Sequence, residues 1–282
     1  MLRKIRGPAI VAALLAVALI ASGCGDGKPA VSEPMPSTKQ NDPPSPARPV
    51  EPVKWEEFEP LQAAVSRSQR FGSVYPAVLG VFADAEDLKT IARAFADAEK
   101  IDGQLDVAKP EYDLSFADED GQTAFHLWLG TSPGNKGLFT YVEDTGTGYT
   151  ISEENADKLR ELIQALRYSP EQAIANGEIV DLHGKLTHAD KWEAFVGQVR
   201  AGTPAEAHIT AYTIEGAPVF EDLLFDGQAI QYVFDATKDP YGTADRTIMY
   251  CKNLGQDGTR YTLSKCGSEE ANFLFDTAKR KN

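Results

Sequence analysis

Cys24 stands where an apolar run stops and a glycine-rich, then proline-rich, stretch begins, in ALIASGCGDGKPA at residues 18–30. That junction separates a part of the chain to be left out of any fold from a part able to fold. Arg3, Lys4 and Arg6 form a basic start, and thirteen small or apolar residues follow from Ala9 to Ala21. A helix needs about 20 apolar residues to cross a bilayer, so this core is too short for a span and matches the apolar region of a secretory signal peptide. Beyond Cys24, residues 25–54 hold eight of the chain's 17 prolines and almost no apolar bulk. Such a stretch cannot bury enough surface to offset its ordering entropy, so a disordered, partly extended stalk is expected over 24–54.

Ala21-Ser22-Gly23 leads directly into Cys24. This resembles a bacterial lipobox, in which the cysteine sulfur receives diacylglycerol and cleavage leaves that cysteine as the first residue. Ala21 stands where leucine is commoner. The resemblance implies a signal peptide over 1–23 and a palmitate-type lipid anchor at Cys24, holding the protein on the extracytoplasmic face of the cell membrane. Cysteine usage agrees. Only Cys24, Cys251 and Cys266 occur, and acylating the first leaves an even pair in an oxidising compartment. A Cys251–Cys266 disulfide is expected. In a hairpin, opposed residues have a constant number sum: a two-residue turn at Asp257-Gly258 would leave these two cysteines diagonal, whereas a four-residue turn at Asp257–Arg260 sets them opposite each other.

Removing the residues before Cys24 takes away three basic and no acidic side chains, which leaves 25 Lys and Arg against 42 Asp and Glu, a net charge of −17. That balance opposes nucleic-acid phosphates and anionic lipid surfaces, so no nucleic-acid partner is expected.

Periodicity over residues 55–282 alternates between 2 and 3.6. QAAVSR (62–67), YPAVLGVF (75–82), EYDLSF (111–116), TAFHLWLG (123–130) and GLFTYV (137–142) read as strands. Helices are expected after Asp84 and Ser152, where Leu88, Ile91 and Phe95, then Ala156, Leu159 and Ile163, recur at helical spacing. Ser169-Pro170-Glu171-Gln172 is a capping box with proline at the first helical position, and Asn176-Gly177 stops that helix. EIVDLHG (178–184) reads as a strand, and Thr187 as the cap of a helix carrying Trp192, Phe195, Val196 and Val199. A meander of AHITAYTI, VFEDLLF and AIQYVFD follows, and RTIMYC and YTLSKC read as a final pair. The expected class is α+β: two small domains, 55–168 and 169–282, each a mainly antiparallel sheet covered by helices.

The segment VFADAEDLKTIARAFADAEKIDGQLDVAKPEYDLSF, with HLWLG and YVEDTGTGYTISEENADKLREL, resembles a domain of small Firmicute lipoproteins. NGEIVDLHGKLTHADKWEAFV and its continuation are similar to a second lipoprotein family of unknown function. The matching positions are His183-Gly184, Tyr212 to Gly216, Pro218, Asp226-Gly227, Asp235, Asp239, Gly242, Cys251 and Cys266. The resemblance implies fold and location and carries no activity.

No G-x-S-x-G elbow, H-E-x-x-H helix, P-loop or C-x-x-C occurs, so the strong catalytic signatures are absent and no cofactor is expected. The nearest constellation is Asp181-x-His183 with His188-x-Asp190, which could meet at a strand end and helix start. His183, His188 and Asp190 are the candidate ligand-binding residues, beside a helix N-terminus suited to an anionic group. A metal there is the minor reading, because a capped helix entry explains the same residues. His126 and His208 read as sheet histidines, Asp118-Glu119-Asp120-Gly121 as a hairpin tip, and Tyr241 as an aromatic able to face a partner. The expected function is a lipid-anchored binding or interaction module with an unknown protein or small-molecule partner. The alternative is an extracytoplasmic metal-dependent or histidine-using hydrolase.

Overall fold

A computed structural model describes residues 53–278 apart from 56, 57, 59, 104, 118–120, 244 and 268–272. The lipobox, Cys24, nearly all of the stalk and the tip residues Asp118–Asp120 lie outside these. Among the described residues no helix is long and apolar enough to cross a membrane.

The first half runs β1 (Gln62–Arg67), β2 (Val78–Phe82), α1 (Ala85–Ala96), β3 (Glu99–Lys100), β4 (Tyr112–Ala117), β5 (Gln122–Trp128), β6 (Gly137–Tyr141), β7 (Gly148–Ile151) and α2 (Glu153–Ala165). Its seven strands form one antiparallel sheet in the order β2-β1-β4-β5-β6-β7-β3. Both helices start where their caps predict. Asp84 Oδ1 accepts from Glu86 N at 2.9 Å, and Ser152 Oγ accepts from Asn155 N at 3.3 Å. The helices pack Ile91, Phe95, Leu159 and Ile163 into a core with Leu114, Phe116, Phe125 and Phe139. Trp55 joins this core through ring contacts to Phe58, Phe95, Phe116 and Phe125. Val53 N donates to Tyr141 Oη at 3.0 Å, so the start of the described chain is pinned to the sheet.

The second half runs α3 (Pro170–Ala175), β8 (Ile179–Leu182), β9 (Lys185–Thr187), α4 (Ala189–Arg200), β10 (Ala205–Tyr212), β11 (Pro218–Phe225), β12 (Ile230–Asp235), β13 (Arg246–Cys251), β14 (Asn253–Asp257), β15 (Arg260–Ser264) and β16 (Leu274–Asp276). Six strands form a sheet in the order β13-β12-β11-β10-β8-β9, and β14, β15 and β16 form a second, smaller one. Ser169 caps α3, its Oγ accepting from Gln172 N at 3.2 Å. Trp192 and Phe195 of α4, both fully buried, fill the space between the six-stranded sheet and the small one, with Tyr261, Phe273 and Phe275.

The six-stranded sheet is mainly antiparallel, as expected, with one parallel pair: β8 lies parallel to β10, because β9 and α4 form a crossover between them. Three readings of the sequence need correction. RTIMYC is the edge strand of the six-stranded sheet, pairing with β12, and the partner of β15 is β14. AHITAYTI stops as a strand at Tyr212. Thr213 N donates to Ala217 O at 2.9 Å and closes a turn that leaves Ile214 89 % exposed. Thr187 ends β9 and does not cap α4. His188 occupies the cap position in a left-handed conformation without a side-chain cap bond.

The expected hairpin register is observed. Asn253 pairs with Ser264, Leu254 with Leu263 and Asp257 with Arg260, and continuing that register puts Cys251 and Cys266 opposite each other. They are bonded, with Cα atoms 4.0 Å apart. The disulfide ties the edge of the six-stranded sheet to the small sheet.

The two sheet-rich halves meet along one face of each. The six-stranded sheet turns Ile209, Leu223 and Ile230 towards α4, and Val180, Tyr212 and Phe220 join the first-half core with Tyr168 and Ala173. α3 seals the join, since Gln172 Nε2 and Asn176 Nδ2 both donate to Val78 O at 3.0 Å, on the edge strand β2. The described residues thereby form one compact unit.

Candidate functional site: a cleft on the seam

His183, His188 and Asp190 do not form the constellation expected of them. His183 and Gly184 both have positive φ, 53° and 89°, and make the two-residue turn between β8 and β9. His183 Nε2 donates to Thr213 O at 2.9 Å, and His188 Nδ1 donates to Glu178 O at 2.8 Å. Each ring therefore fastens one backbone carbonyl. Asp190 is exposed in the first turn of α4. Among the described residues no group of three His, Cys, Asp or Glu side chains could hold a metal ion.

The other two histidines lie at the centre of the molecule. His126 is fully buried and its Nδ1 donates to Asp113 Oδ1 at 2.8 Å. Its Nε2 accepts from Gly72 N at 2.9 Å, and Asp113 Oδ2 accepts from Tyr75 N at 2.7 Å. The segment from Ser68 to Pro76 is thus strapped over the sheet by backbone N–H groups, and the imidazole is sealed beneath it.

His208 belongs to a charged network that no periodicity announces. Arg67, at the end of β1, grips Asp222 with two contacts of 2.6 and 3.3 Å and reaches Glu178 at 3.4 Å. Its guanidinium lies 4.0 Å over the Phe220 ring. Asp222 also accepts from Gln69 Nε2 at 3.1 Å and from His208 Nδ1 at 2.8 Å, and Thr210 Oγ1 donates to Glu178. Burial opposes ionisation of Asp222, yet Arg67 and His208 hold its carboxyl well below the usual carboxylate range. Burial likewise opposes a charge on His208, and the hydrogen bond to Asp222 raises it on balance. Lys109, which donates to Gln69 Oε1 at 3.0 Å, is pushed down to about 8 by burial. His208 Nε2 is left without a hydrogen-bond partner, 3.9 Å from Glu206 Oε1. The network fastens the two halves together.

Beside it opens a cleft of about 350 Å³ with walls from both halves. Its floor is the start of β4, its sides the β5–β6 loop and α2, and its far wall the loop 236–242 with Arg246. The loop 129–135 is held rigidly. Arg160 Nε donates to Leu129 O at 2.9 Å, its Nη2 to Asn135 O at 2.6 Å, and Asp157, paired with Arg160, accepts from Gly134 N at 3.0 Å. Glu111 Oε2 accepts from Leu129 N at 2.9 Å and Gly130 N at 2.8 Å. The opposite wall is fixed by Lys238, whose ammonium donates to Ile163 O and, at 2.7 Å, to Leu166 O, closing the C-terminus of α2. Gln164 Nε2 donates to Thr237 O at 2.7 Å across the seam. A second hollow, bordered by Glu215–Pro218 and Tyr241, shares Gln164 and Pro240 with the cleft. Tyr241 is 79 % exposed there, as the sequence suggested.

Arg246 is the least satisfied polar group of the cleft. Its side chain is 12 % exposed, 3.5 Å from Glu111 Oε1 and 3.7 Å from Asp235 Oδ2, and its buried Nε has no hydrogen-bond partner. Sequence reasoning singled out Asp235, Asp239 and Gly242 without knowing that Glu111 and Arg160, over 70 residues upstream, would complete the same walls. No local signal links them.

Fold and site thus define a chain built of two sheet-rich α+β bodies that meet at a polar seam. Comparison with known proteins gives the same division. Residues 69–168 match the family described as YhfM protein, and residues 176–260 match a domain of unknown function, DUF4362. No curated protein matches significantly. Among solved structures, a thioesterase-like protein from Clostridium sporogenes is similar at a TM-score of 0.31 and 18% identity, covering 36% of this chain and 93% of its own.

Proposed function

We propose that this protein is a lipid-anchored binding module of the extracytoplasmic membrane face, which holds a small ligand in the seam cleft and performs no chemistry of its own. The cleft carries the reading. Ligand sites are concave, largely preformed and mostly apolar with a few fixed polar groups, and their volumes start at about 300 Å³. This cleft has that size, rigid walls, apolar surface from Tyr112, Leu129, Ile163 and Pro240, and a guanidinium with a donor to spare. The lipobox-like sequence at Cys24 supports the anchor, and the Cys251–Cys266 disulfide suits an oxidising compartment. The alternative, a hydrolase built on histidines, has less to draw on, since His126 and His208 are engaged and buried and His183 and His188 fasten carbonyls.

Two experiments test the proposal. Two acyl chains anchor a protein stably where one does not, so Cys24→Ser releases the protein from membranes or leaves it unprocessed. A variant that fractionates and is cleaved like wild type removes the anchor. For the cleft, Thr131→Trp places a large ring from an exposed lining position into the opening without touching the core. Wild-type protein purified from native membranes in detergent should release a small molecule on denaturation, detected by mass spectrometry, and Thr131→Trp should carry none. Equal recovery from both proteins, or none from either, refutes the ligand site.

A further inference from the structure

We infer that the ligand of the seam cleft is the free N-terminal residue of a peptide, with its ammonium at the acidic rim and its carbonyl oxygen on Arg246. This rests on the reading of the cleft as a ligand site and names the chemistry it recognises.

A buried N–H without an acceptor costs about 1–3 kcal/mol, and a guanidinium has five N–H groups to satisfy. Arg246 Nη1 lies 3.5 Å from Glu111 Oε1, and its Nε lies 3.7 Å from Asp235 Oδ2, buried and without a hydrogen-bond partner. An acceptor oxygen brought by the ligand meets the part of the guanidinium that lines the cleft.

Glu111, Glu161 and Asp239 line the cleft against Arg160 and Arg246, and Asp235 stands behind. Arg160 is already committed to three carbonyls and Asp157. A third carboxylate beside Arg246 would be repelled by Glu111 and Asp235, so the acceptor is a neutral carbonyl. The excess negative charge asks instead for a cation.

Glu161 is exposed at the rim, and Asp239 is held by Tyr241 N, which donates to its Oδ1 at 3.0 Å. The other oxygen of Asp239 lies against Gly242, where a Cβ would come within 2.7 Å of it. Glycine at 242 therefore leaves room for that carboxylate at the mouth. An α-ammonium, a neutral carbonyl one bond-pair away and an apolar side chain against Leu129 and Ile163 together describe a peptide N-terminus. The cleft volume suits one or two residues.

Titration of the full-length protein in detergent, followed by calorimetry, decides this with three probes. Leu-Gly amide carries the ammonium and the carbonyl, N-acetyl-Leu-Gly amide lacks the ammonium charge, and isoamylamine lacks the carbonyl. Leu-Gly amide should bind at least tenfold more tightly than either of the others. Asp239→Asn combined with Glu161→Gln should weaken Leu-Gly amide about tenfold and leave the acetylated probe unchanged. Arg246→Met should abolish the advantage of Leu-Gly amide over isoamylamine, with the melting temperature recorded as a check on folding. Should the acetylated peptide bind as well as the free one, the peptide N-terminus is refuted while the cleft stands, provided Thr131→Trp blocks both. Binding that Thr131→Trp leaves untouched refutes the cleft itself, and no binding of any probe overturns the inference.

Discussion

Replacing Arg67 by Met should cost about 3–5 kcal/mol of stability, the range for breaking a buried ion pair by removing one partner. The reason is what stays behind. Asp222 and Glu178 are buried, 2 % and 3 % exposed, and Arg67 is the cation that contacts both. Neutralising the stranded acids in Arg67→Met/Asp222→Asn/Glu178→Gln should recover much of the loss, because desolvated charge then no longer has to be held. pH gives an independent readout. Asp222 has its native pKa depressed below the unfolded value of about 3.9, so the unfolded chain binds more protons in acid. Its contribution is fully present above about pH 5 and is lost as pH falls towards 2 and below. Wild type should lose stability steeply over that window and Arg67→Met only shallowly. Urea midpoints at pH 7, 4 and 3 measure both effects, and a change under 1 kcal/mol at pH 7 would show that the network does not hold the halves together.

Opening the Cys251–Cys266 bond should cost about 3 kcal/mol, the chain-entropy value for a loop of this length, with a separation of 15 residues. The loss should be uneven. β14, β15 and β16 form only a three-stranded sheet, fastened to the rest by the disulfide and by the packing of Tyr261, Phe273 and Phe275 on Trp192. Hydrogen exchange in the Cys251→Ala/Cys266→Ala variant should therefore rise across Asn253–Ser264 before it rises in the seven-stranded sheet. Thiol labelling of the denatured, unreduced chain checks the bond itself, and two reactive thiols beyond Cys24 would disprove it.

Those two features differ in how far the sequence reveals them. The disulfide was legible, because hairpin register is arithmetic: Asp257–Arg260 sets the turn, and the two cysteines follow at a fixed sum. Helix starts were legible for the same local reason. Asp84, Ser152 and Ser169 each satisfy orphaned N–H groups within three residues of themselves. Period-two alternation also located most strands, since Tyr112, Leu114 and Phe116 share the face that meets α1 and α2.

Local rules failed where partners come from far away. Alternation in EYDLSF puts Tyr112, Leu114 and Phe116 on one face, yet Asp113 and Ser115 on the other are as buried as Leu114, and Asp113 is bonded by Tyr75 N from the strap 68–76. His188 looked like a site residue beside a capping Thr187, but the unpredicted strand β9 carries Thr187 in a hairpin and moves the helix start by one residue. The same limit hid the cleft. Glu111, Arg160 and Arg246 come from a strand entry, a helix and an edge strand, and only the docking of two sheets brings them to one cleft. Spacing and periodicity record what a residue does with neighbours a turn or a strand away, whereas the sign of a buried charge cluster depends on which surfaces are pressed together. The sequence by itself therefore determined the elements, their caps and the covalent bond. The seam, its buried Arg67–Asp222 pair and the unsatisfied Arg246 were decided by tertiary packing, because their energies depend on desolvation, which no single segment experiences alone.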